Sequence, residues 1–427
     1  MVAGSGGVRR DIALHVGRVW APSKRSARGS RLPRVKPLRV ISPMAAPLSV
    51  KLGQPSWRLK NGAVETFVTR SAGMLGPATF ALGKGLKVQP FAVAPWRDEK
   101  LPAGSPPLLR ALRGDFFCAP FGGNGTKWRG EQHPPHGESA NGNWEFIDAT
   151  QTREATALHV QLKTKVRRGV IDKRVSLRAG HNAIYIEHTL SGFTGPLTLG
   201  THPCLQMPGV EGDARISAGG WEWGQVTPVP FEDPALGGYS ALKTGARFKN
   251  LTAVPLANGG TTDLTRYPAR AGFEDLVMLM GAPGRTLGWS AVTFPQEGWV
   301  FLQLKNPAIL RHTILWHSNG GRHYAPWNGR HRHVLGLEET TSYFHFGQAE
   351  SAQPNALSRA GYPTTVKLSP KKPLRVPHVF AVAAIPRGFD LVADVSAKSD
   401  GSGVVITAAN GRKISLALDL EFLRGDG

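Results

Sequence analysis

The sequence predicts an all-β protein built as a large antiparallel β-sandwich. Short apolar runs recur along most of the chain, and several alternate apolar and polar residues with the period of two that is typical of strands. The 51 glycines and 33 prolines among 427 residues favour many turns over long helices. Strand patterns do not alternate with helical ones, which disfavours a parallel sheet. A chain of this length is long enough for one large two-sheet sandwich.

The first 48 residues differ in composition from the rest of the chain. Residues 1–50 hold ten Lys or Arg against one acidic residue, Asp11, and show no hydrophobic periodicity. We therefore expect residues 1–48 to be a disordered basic leader. The sandwich should then occupy residues 49–427, with extra strands added at its C-terminal end from about residue 384.

This leader leaves the cellular location and the partners open. An Arg- and Ser-rich segment over residues 1–43 is compatible with an organelle transit peptide, whereas a start at Met44 is compatible with a cytoplasmic protein. No eighteen apolar residues run together, so we expect no transmembrane helix and no membrane partner. The net charge of +22 is not accompanied by a nucleic-acid-binding motif, which disfavours a nucleic-acid partner outside the leader. The oligomeric state stays open.

Cysteine and histidine spacing disfavours a disulfide framework and a metal site. The only two cysteines, Cys118 and Cys204, have no zinc-ligand spacing, and we expect both to be buried free thiols. His133 and His136 form an HPPH turn that lacks an obvious third ligand. The sequence therefore predicts no metal.

Three segments predict antiparallel strand pairs. Residues 57–68 (WRLKNGAVETFV) place Asn-Gly between two strand-like runs, and Asn-Gly is the strongest two-residue hairpin signal because both positions accept a positive φ. A second Asn-Gly pair, Asn410-Gly411, predicts a hairpin near the C-terminus. Between them, residues 158–166, 170–177 and 183–190 alternate in the period of two and predict a meander.

Residues 113–144 predict a long ordered loop. The segment RGDFFCAPFGGNGTKWRGEQHPPHGESANGNW contains too many Gly, Pro and Asn residues for regular structure, and ordered loops of this length are often binding loops. It carries four candidate binding residues, Arg113, His136, Asn141 and Trp144.

Residues 315–344 combine polar and aromatic side chains in an unusual density. The segment LWHSNGGRHYAPWNGRHRHVLGLEETTSYF places Trp316 and Trp327 among histidines and the adjacent carboxylates Glu338 and Glu339. Sugars present hydroxyl edges and apolar C–H faces, so this mixture is typical of a site for a polyhydroxylated ligand. A histidine-rich surface loop is the alternative interpretation.

Three motifs in this order carry a resemblance to a known family. HPPHGE, then a meander ending in THPCLQMP, then GLEETTSYF resemble the galactose mutarotase-like superfamily, and within it the aldose 1-epimerase-like branch. The resemblance covers roughly residues 52–382. It implies the β-supersandwich fold, which agrees with the strand pattern.

The resemblance also implies roles for individual residues. His202 matches the general acid, Glu338 the general base and His136 a substrate-binding histidine, while Glu339 is the less favoured alternative base. A carboxylate and an imidazolium on opposite sides of one sugar can open its ring by removing one proton and donating another, without a cofactor. The remaining candidates would orient the sugar: Arg113 and Asn141 on its hydroxyls, and Trp144, Trp316 or Trp327 on its face.

The sequence thus predicts an aldose 1-epimerase-like isomerase that binds a monosaccharide or a sugar phosphate. Five arginines motivate a hexose-phosphate 1-epimerase as an alternative, because arginine suits bidentate phosphate binding. These arginines are Arg113, Arg129, Arg322, Arg330 and Arg332. A second alternative is a non-catalytic carbohydrate-binding protein, since a fold does not fix its function.

Overall fold

Residues 47–424 are described by a computed structural model, and the expected leader lies almost entirely outside them. The strands are β1 (Ser49–Lys51), β2 (Gln54–Asn61), β3 (Val64–Thr69), β4 (Leu75–Ala81), β5 (Lys87–Val88), β6 (Phe117–Cys118), β7 (Glu145–Gln151), β8 (Ala155–Thr164), β9 (Gly169–Arg178), β10 (Ala183–Ser191), β11 (Gly195–Leu197), β12 (Leu199–Thr201), β13 (Cys204–Gln206), β14 (Ala214–Gly219) and β15 (Trp221–Val226). They continue with β16 (Arg247–Phe248), β17 (Val254–Pro255), β18 (Thr261–Thr262), β19 (Arg266–Tyr267), β20 (Glu274–Gly281), β21 (Gly288–Phe294), β22 (Trp299–Lys305), β23 (His312–Ser318), β24 (Val334–Thr341), β25 (Val366–Leu368), β26 (Leu374–Ala384), β27 (Val392–Ala397), β28 (Gly403–Ala408) and β29 (Lys413–Ala417).

Helical structure is confined to short segments. The α-helices are α1 (Pro107–Ala111), α2 (Gln348–Ala352) and α3 (Ala356–Arg359), and the 3₁₀ turns are Glu138–Ala140, Pro234–Leu236, Leu251–Ala253 and Glu421–Leu423. Within residues 47–424, no helix has the length and apolar character needed to cross a membrane.

Two large antiparallel sheets dominate the architecture, which confirms the predicted all-β sandwich. The nine-stranded sheet has the order β19-β14-β21-β22-β26-β10-β9-β8-β7. The eight-stranded sheet has the order β16-β15-β20-β23-β24-β12-β6, with β13 also paired to β24. Strands β1 to β5 form a five-stranded sheet in chain order, and β27 to β29 form a three-stranded one.

The predicted hairpins and the meander are confirmed. Strands β2 and β3 pair on either side of Asn61-Gly62, and β28 and β29 pair on either side of Asn410-Gly411. Strands β8, β9 and β10 pair consecutively and antiparallel. Turn residues and the period-two pattern were sufficient to predict these strand pairs, because both signals lie within a few residues of each other in the sequence.

Strand β20 explains how one sheet can be apolar on both faces. Its Val277 and Leu279 pack into the core between the two large sheets, whereas Leu276 and Met278 pack into a second cluster on the opposite face. Successive strand side chains point to opposite faces, so the run reads as continuously apolar. The second face is the one on which the candidate site lies.

A third apolar cluster covers the outer face of the nine-stranded sheet. Strand residues such as Leu302 and Val379 pack there against Val395 and Ile406 of the C-terminal three-stranded sheet. Strand β27 contacts β14 and β21 directly. The C-terminal strands therefore bury a face of the sandwich that lies opposite the candidate site.

Candidate functional site

A cavity of about 290 Å³ opens on the second face of the eight-stranded sheet. Its walls come from the segments before and after β6, the segment between β12 and β13, strands β20, β23 and β24, and the loops that follow β15, β23 and β24. The lining residues are Pro106, Leu108, Leu109, Leu112, Phe116, Gly123, Pro135, His136, His202, Phe231, Leu276, Trp316, Arg322, Trp327, Glu338 and His345. The volume is at the lower end of the range for small-molecule sites, which suits a ligand of one ring.

His202 and Glu338 meet in this cavity. His202 Nε2 lies 3.3 Å from Glu338 Oε1, and the two side chains are 7% and 3% exposed. Glu338 projects from β24, which places its carboxylate on the cavity face. The backbone N–H of His202 donates to Phe116 O and to Asp115 Oδ1, both at 3.0 Å, and these bonds fix the imidazole between β12 and β13.

A glycine two residues before Glu338 makes room for this carboxylate. A Cβ on Gly336 would lie 2.6 Å from Glu338 Oε1 and 3.0 Å from Trp316 Cβ. A larger residue at position 336 would therefore displace one of the two side chains. This steric requirement explains why glycine precedes Glu338 by two residues in the GLE motif.

His136 lines the same cavity beside His202. Its ring centroid lies 5.0 Å from that of His202, with the two ring planes nearly perpendicular. The backbone of His136 has a φ of +58°, and its N–H donates to Gly122 O at 2.7 Å. A Cβ on the following Gly137 would lie 2.2 Å from Ala119 O, so the HG pair allows this loop to pack closely.

Aromatic rings surround the polar group. Phe116 stacks on His202 with a centroid separation of 4.4 Å, and Trp316 meets the edge of the same imidazole at 5.8 Å. Trp327 contacts Trp316 at 6.1 Å in an edge-to-face arrangement. The cavity thus offers flat apolar faces beside hydrogen-bonding groups, as the sequence predicted for this stretch.

Arg322 is the one arginine or lysine that lines this cavity within the described chain. Its guanidinium lies 4.6 Å from the Trp327 ring and 5.3 Å from the Trp316 ring. Its Nε donates to Glu232 Oε1 at 2.7 Å, and Tyr324 OH donates to the other oxygen of that carboxylate. The positive charge is therefore already balanced within the protein.

A buried hydrogen-bonded network supports Trp316 from behind. Trp316 Nε1 donates to Glu274 Oε2 at 2.8 Å, and Ser318 Oγ donates to Glu274 Oε1 at 2.9 Å. His331 Nδ1 lies 2.7 Å from Ser318 Oγ, and its ring stacks on Trp316 at 5.5 Å. Burial raises the pKa of Glu274 to about 7, against the opposing charge of Arg322. The network fixes the Trp316 indole at the cavity wall.

Burial controls the electrostatics of the His202–Glu338 pair. It raises the pKa of Glu338 well above its ordinary value, although the charge of Arg322 acts in the opposite direction. Burial, followed by the neighbouring His136, lowers the pKa of His202 well below its ordinary value. Burial also lowers the pKa of His136 to about 3. An ion pair would shift Glu338 and His202 the other way, so desolvation outweighs their mutual attraction and the cavity favours a carboxylic acid beside a neutral imidazole.

Five of the eight predicted site residues line the cavity, and three do not. His136, His202, Trp316, Trp327 and Glu338 line it. Arg113 is 1% exposed, and its guanidinium donates to the backbone carbonyls of Ala111, Lys51 and Leu52 at 2.9 to 3.0 Å. The expectation that Arg113 contacts sugar hydroxyls does not agree with this placement, because all of its side-chain nitrogens hold the chain together.

Asn141 and Trp144 also have supporting roles. Asn141 Nδ2 donates to Pro135 O and Gly137 O, so this amide holds the loop that presents His136. Trp144 is 1% exposed and packs in the core between the sheets, where its Nε1 donates to Ser139 O at 3.1 Å. Both side chains lie outside the lining of this cavity, so the structure does not bring them together with His202 and Glu338.

Glu339 and three of the expected arginines lie away from the cavity. Glu339 points to the opposite face of β24, where it accepts hydrogen bonds from Lys305, Ser290 and Thr313. It is therefore not positioned as an alternative base. Arg330 pairs with Glu99, Arg332 donates to Gly329 O, and Arg129 lies over Trp128.

Sequence reasoning assigned no role to Phe116, Phe231 and His345, which line the cavity. Phe116 lies three residues from Arg113, and its position beside His202 arises from pairing between β6 and β12. Nothing local distinguishes Phe231, which reaches the cavity from a loop.

Cys118 and Cys204 are buried and free, as predicted. Across residues 47–424, no three His, Cys, Asp or Glu side chains are grouped as a metal site.

Comparison with known proteins gives no match to a family model or to a curated sequence. Solved structures do match. The Slr1438 protein of Synechocystis sp. PCC 6803 is 15% identical, with a TM-score of 0.51 over 80% of this chain and 99% of its own. A candidate aldose 1-epimerase of Klebsiella pneumoniae is 14% identical, with a TM-score of 0.50 over 78% of this chain and 83% of its own.

A candidate mutarotase of Salmonella typhimurium is also similar. It is 11% identical, with a TM-score of 0.50 over 81% of this chain and 97% of its own. At such identities the similarity concerns the fold. The chain has the galactose mutarotase-like β-sandwich fold that its motifs implied.

Proposed function

We propose that the chain is an aldose 1-epimerase-like isomerase that interconverts the anomers of a sugar by acid/base ring opening. The observation that carries the proposal is that His202, Glu338 and His136 line one cavity of single-ring size together with Phe116, Trp316 and Trp327. Structural neighbours named as a candidate aldose 1-epimerase and as a candidate mutarotase support the same reaction class.

Ring opening needs one group that accepts a proton and one that donates a proton. The base takes the proton of the anomeric hydroxyl, the C1–O1 bond becomes a carbonyl, and the bond between C1 and the ring oxygen breaks. The acid protonates the ring oxygen as it leaves. Rotation about C1–C2 and reclosure with the two roles exchanged gives the other anomer.

The His202–Glu338 pair would supply both groups with one shared proton. In the roles given by the resemblance, Glu338 is the base and His202 the acid. The pKa directions favour the reverse distribution before a ligand binds, with the proton on Glu338. Both arrangements have zero net charge and hold one acid and one base. Because reclosure exchanges the roles anyway, either arrangement permits the reaction, and ligand hydroxyls select between them.

The surrounding residues would hold the sugar against this pair. Trp316 and Trp327 provide faces for the C–H side of the ring, and Phe116 limits rotation of His202. His136 would bind a hydroxyl. Arg322 would donate hydrogen bonds at the cavity wall from a charge already paired with Glu232.

A non-catalytic carbohydrate-binding protein is the second candidate. The observation that favours it is the direct contact between His202 and Glu338, which a sugar would have to separate before both could act. Hexose-phosphate specificity lacks such an observation, because the one arginine of the described cavity lining is paired with a carboxylate.

Anomer equilibration of a sugar panel, followed by polarimetry or NMR, tests the proposal. The panel should include free hexoses and pentoses, with hexose 6-phosphates for comparison. We expect acceleration by the intact protein and its loss in Glu338→Gln and His202→Asn, while the exposed Glu145→Gln serves as control. Binding without acceleration would instead favour the carbohydrate-binding protein, and neither binding nor acceleration would reject a sugar site.

A further inference from the structure

A second cavity of about 460 Å³ lies at the other end of the same strands and shares no lining residue with the first across residues 47–424. It forms where β20 ends and β23 begins, with Gly281 and His312 on its wall. His312 and Trp316 lie four residues apart on β23, which separates the two cavities by roughly 13 Å at about 3.3 Å per residue. The first cavity does not extend into it.

Two arginines without partners among the described residues face this second cavity. Arg285 lies in the turn between β20 and β21, and Arg311 immediately precedes β23. Within residues 47–424, neither guanidinium forms an ion pair or a hydrogen bond. Arg311 Nε is fully buried and unsatisfied. Two cations that share one recess repel each other, and burying an unpaired donor costs free energy, so this arrangement favours an anionic ligand.

The other lining groups do not neutralise the arginines. Glu222 is the one acidic side chain of the described lining, and its carboxylate accepts a hydrogen bond from Tyr362 OH. His312 is satisfied on both nitrogens, because Nδ1 accepts from Gly281 N and Nε2 donates to Pro363 O. Burial lowers the pKa of His312 to about 3, so its imidazole stays neutral. The recess therefore keeps a net positive charge.

We infer that this second cavity binds a phosphate group carried on a small polar molecule, through Arg285 and Arg311. Guanidinium groups match the tetrahedral oxygens of phosphate through paired N–H donors. The volume exceeds what a phosphate ion alone needs, and the Tyr362 ring with the nearby Glu222 carboxylate can contact an attached polyol. This second cavity is independent of the proposed reaction, because it uses no residue of the first.

Calorimetric titration with glycerol 3-phosphate, inorganic phosphate and glycerol tests the second cavity. Phosphorus-31 NMR follows the binding of the two phosphorus-containing compounds. We expect saturable binding of glycerol 3-phosphate, weaker binding of inorganic phosphate and none of glycerol. Arg311→Gln and Arg285→Gln should each weaken binding by about tenfold or more, because each removes a charge-assisted contact. Arg285 is exposed, so its variant keeps the test valid if Arg311→Gln fails to fold.

Two control variants distinguish binding in the second cavity from attraction to the protein's overall positive charge and from binding in the first cavity. Arg153→Gln removes one exposed positive charge that does not line the second cavity, and it should leave binding there unchanged. Glu338→Gln should also leave it unchanged. Binding that survives both arginine variants, or that falls equally in Arg153→Gln, would overturn the inference. Tighter binding of inorganic phosphate than of the ester would overturn the part that assigns an attached polyol.

Discussion

Two adjacent carboxylates on β24 are buried in opposite ways. Glu339 faces the core between the sheets, where Lys305 neutralises its charge and Ser290 and Thr313 donate to its oxygens. Glu338 faces the cavity, where its close polar neighbour is the neutral His202. Both are almost fully buried, so exposure alone does not distinguish them. The two carboxylates differ in their partners, because Glu339 is paired with Lys305 and Glu338 contacts His202.

This is the difference expected between a structural carboxylate and the acid/base residue that we propose. A buried charge that serves the fold is paired and has its hydrogen bonds satisfied, as Glu339 is. A carboxylate that must exchange a proton cannot be held in one state, and Glu338 keeps a raised pKa because it is buried without an ion pair to Lys or Arg among the described residues. Glu338 and Glu339 are consecutive residues of the GLEET motif in β24. Because successive side chains of a strand point to opposite faces, the two carboxylates lie on different faces of the sheet.

Substituting Glu338 should have the largest effect on activity. Glu338→Gln keeps the side-chain volume but removes the group that exchanges the proton, so we expect anomerisation to slow by about 10² to 10⁴-fold. Sugar affinity should change far less. The measurement is the rate of anomer equilibration at saturating sugar together with the dissociation constant. A variant that retains more than about a third of the rate would exclude Glu338 as an acid/base residue.

Substituting Glu339 should have the largest effect on stability. Glu339→Gln leaves the buried Lys305 ammonium without a counter-charge, and removing one partner of a buried pair costs about 3–5 kcal/mol. Denaturant unfolding measures this loss, and adding Lys305→Met should recover part of it. Glu65→Gln, in the exposed pair with Arg58, is the control and should remain near the wild type. Equal stability of the Glu338 and Glu339 variants would contradict the distinction between the two faces.

The pH dependence of stability should sharpen the comparison further. The folded-state pKa of Glu338 is raised, so its contribution is full below the unfolded value near 4.5 and is lost as pH rises through the folded-state pKa. Glu338→Gln cannot ionise and removes this loss. We therefore expect the variant to gain stability relative to the wild type as pH rises from about 5 to about 9, measured by denaturant unfolding. A difference that does not change with pH would show that Glu338 is not desolvated.

The fold was more predictable from the sequence than the site. Hairpins such as β2–β3 depend on turn residues and alternation that lie within a dozen positions, so the sequence contains their full signal. The cavity depends on contacts between distant segments, and His136, His202 and Glu338 were found only because three motifs occurred in a familiar order. Residue type alone did not decide which side chains line the cavity, because Trp316 and Trp327 line it whereas Arg113 donates to backbone carbonyls.

The two tryptophans Trp144 and Trp327 offer the finest test of this distinction. Both were expected to stack on a sugar, but Trp144 packs in the core and donates to Ser139 O, whereas Trp327 lines the cavity beside Arg322. Trp144→Phe should lower stability by about 1–3 kcal/mol through the lost hydrogen bond and the space left by the smaller ring, and leave sugar affinity unchanged. Trp327→Phe should weaken sugar binding by about two- to tenfold, since it reduces the aromatic face. Titration calorimetry measures the sugar affinity of both variants, and denaturant unfolding measures their stability. Weaker sugar binding by Trp144→Phe with unchanged binding by Trp327→Phe would mean that the ligand contacts Trp144 rather than Trp327.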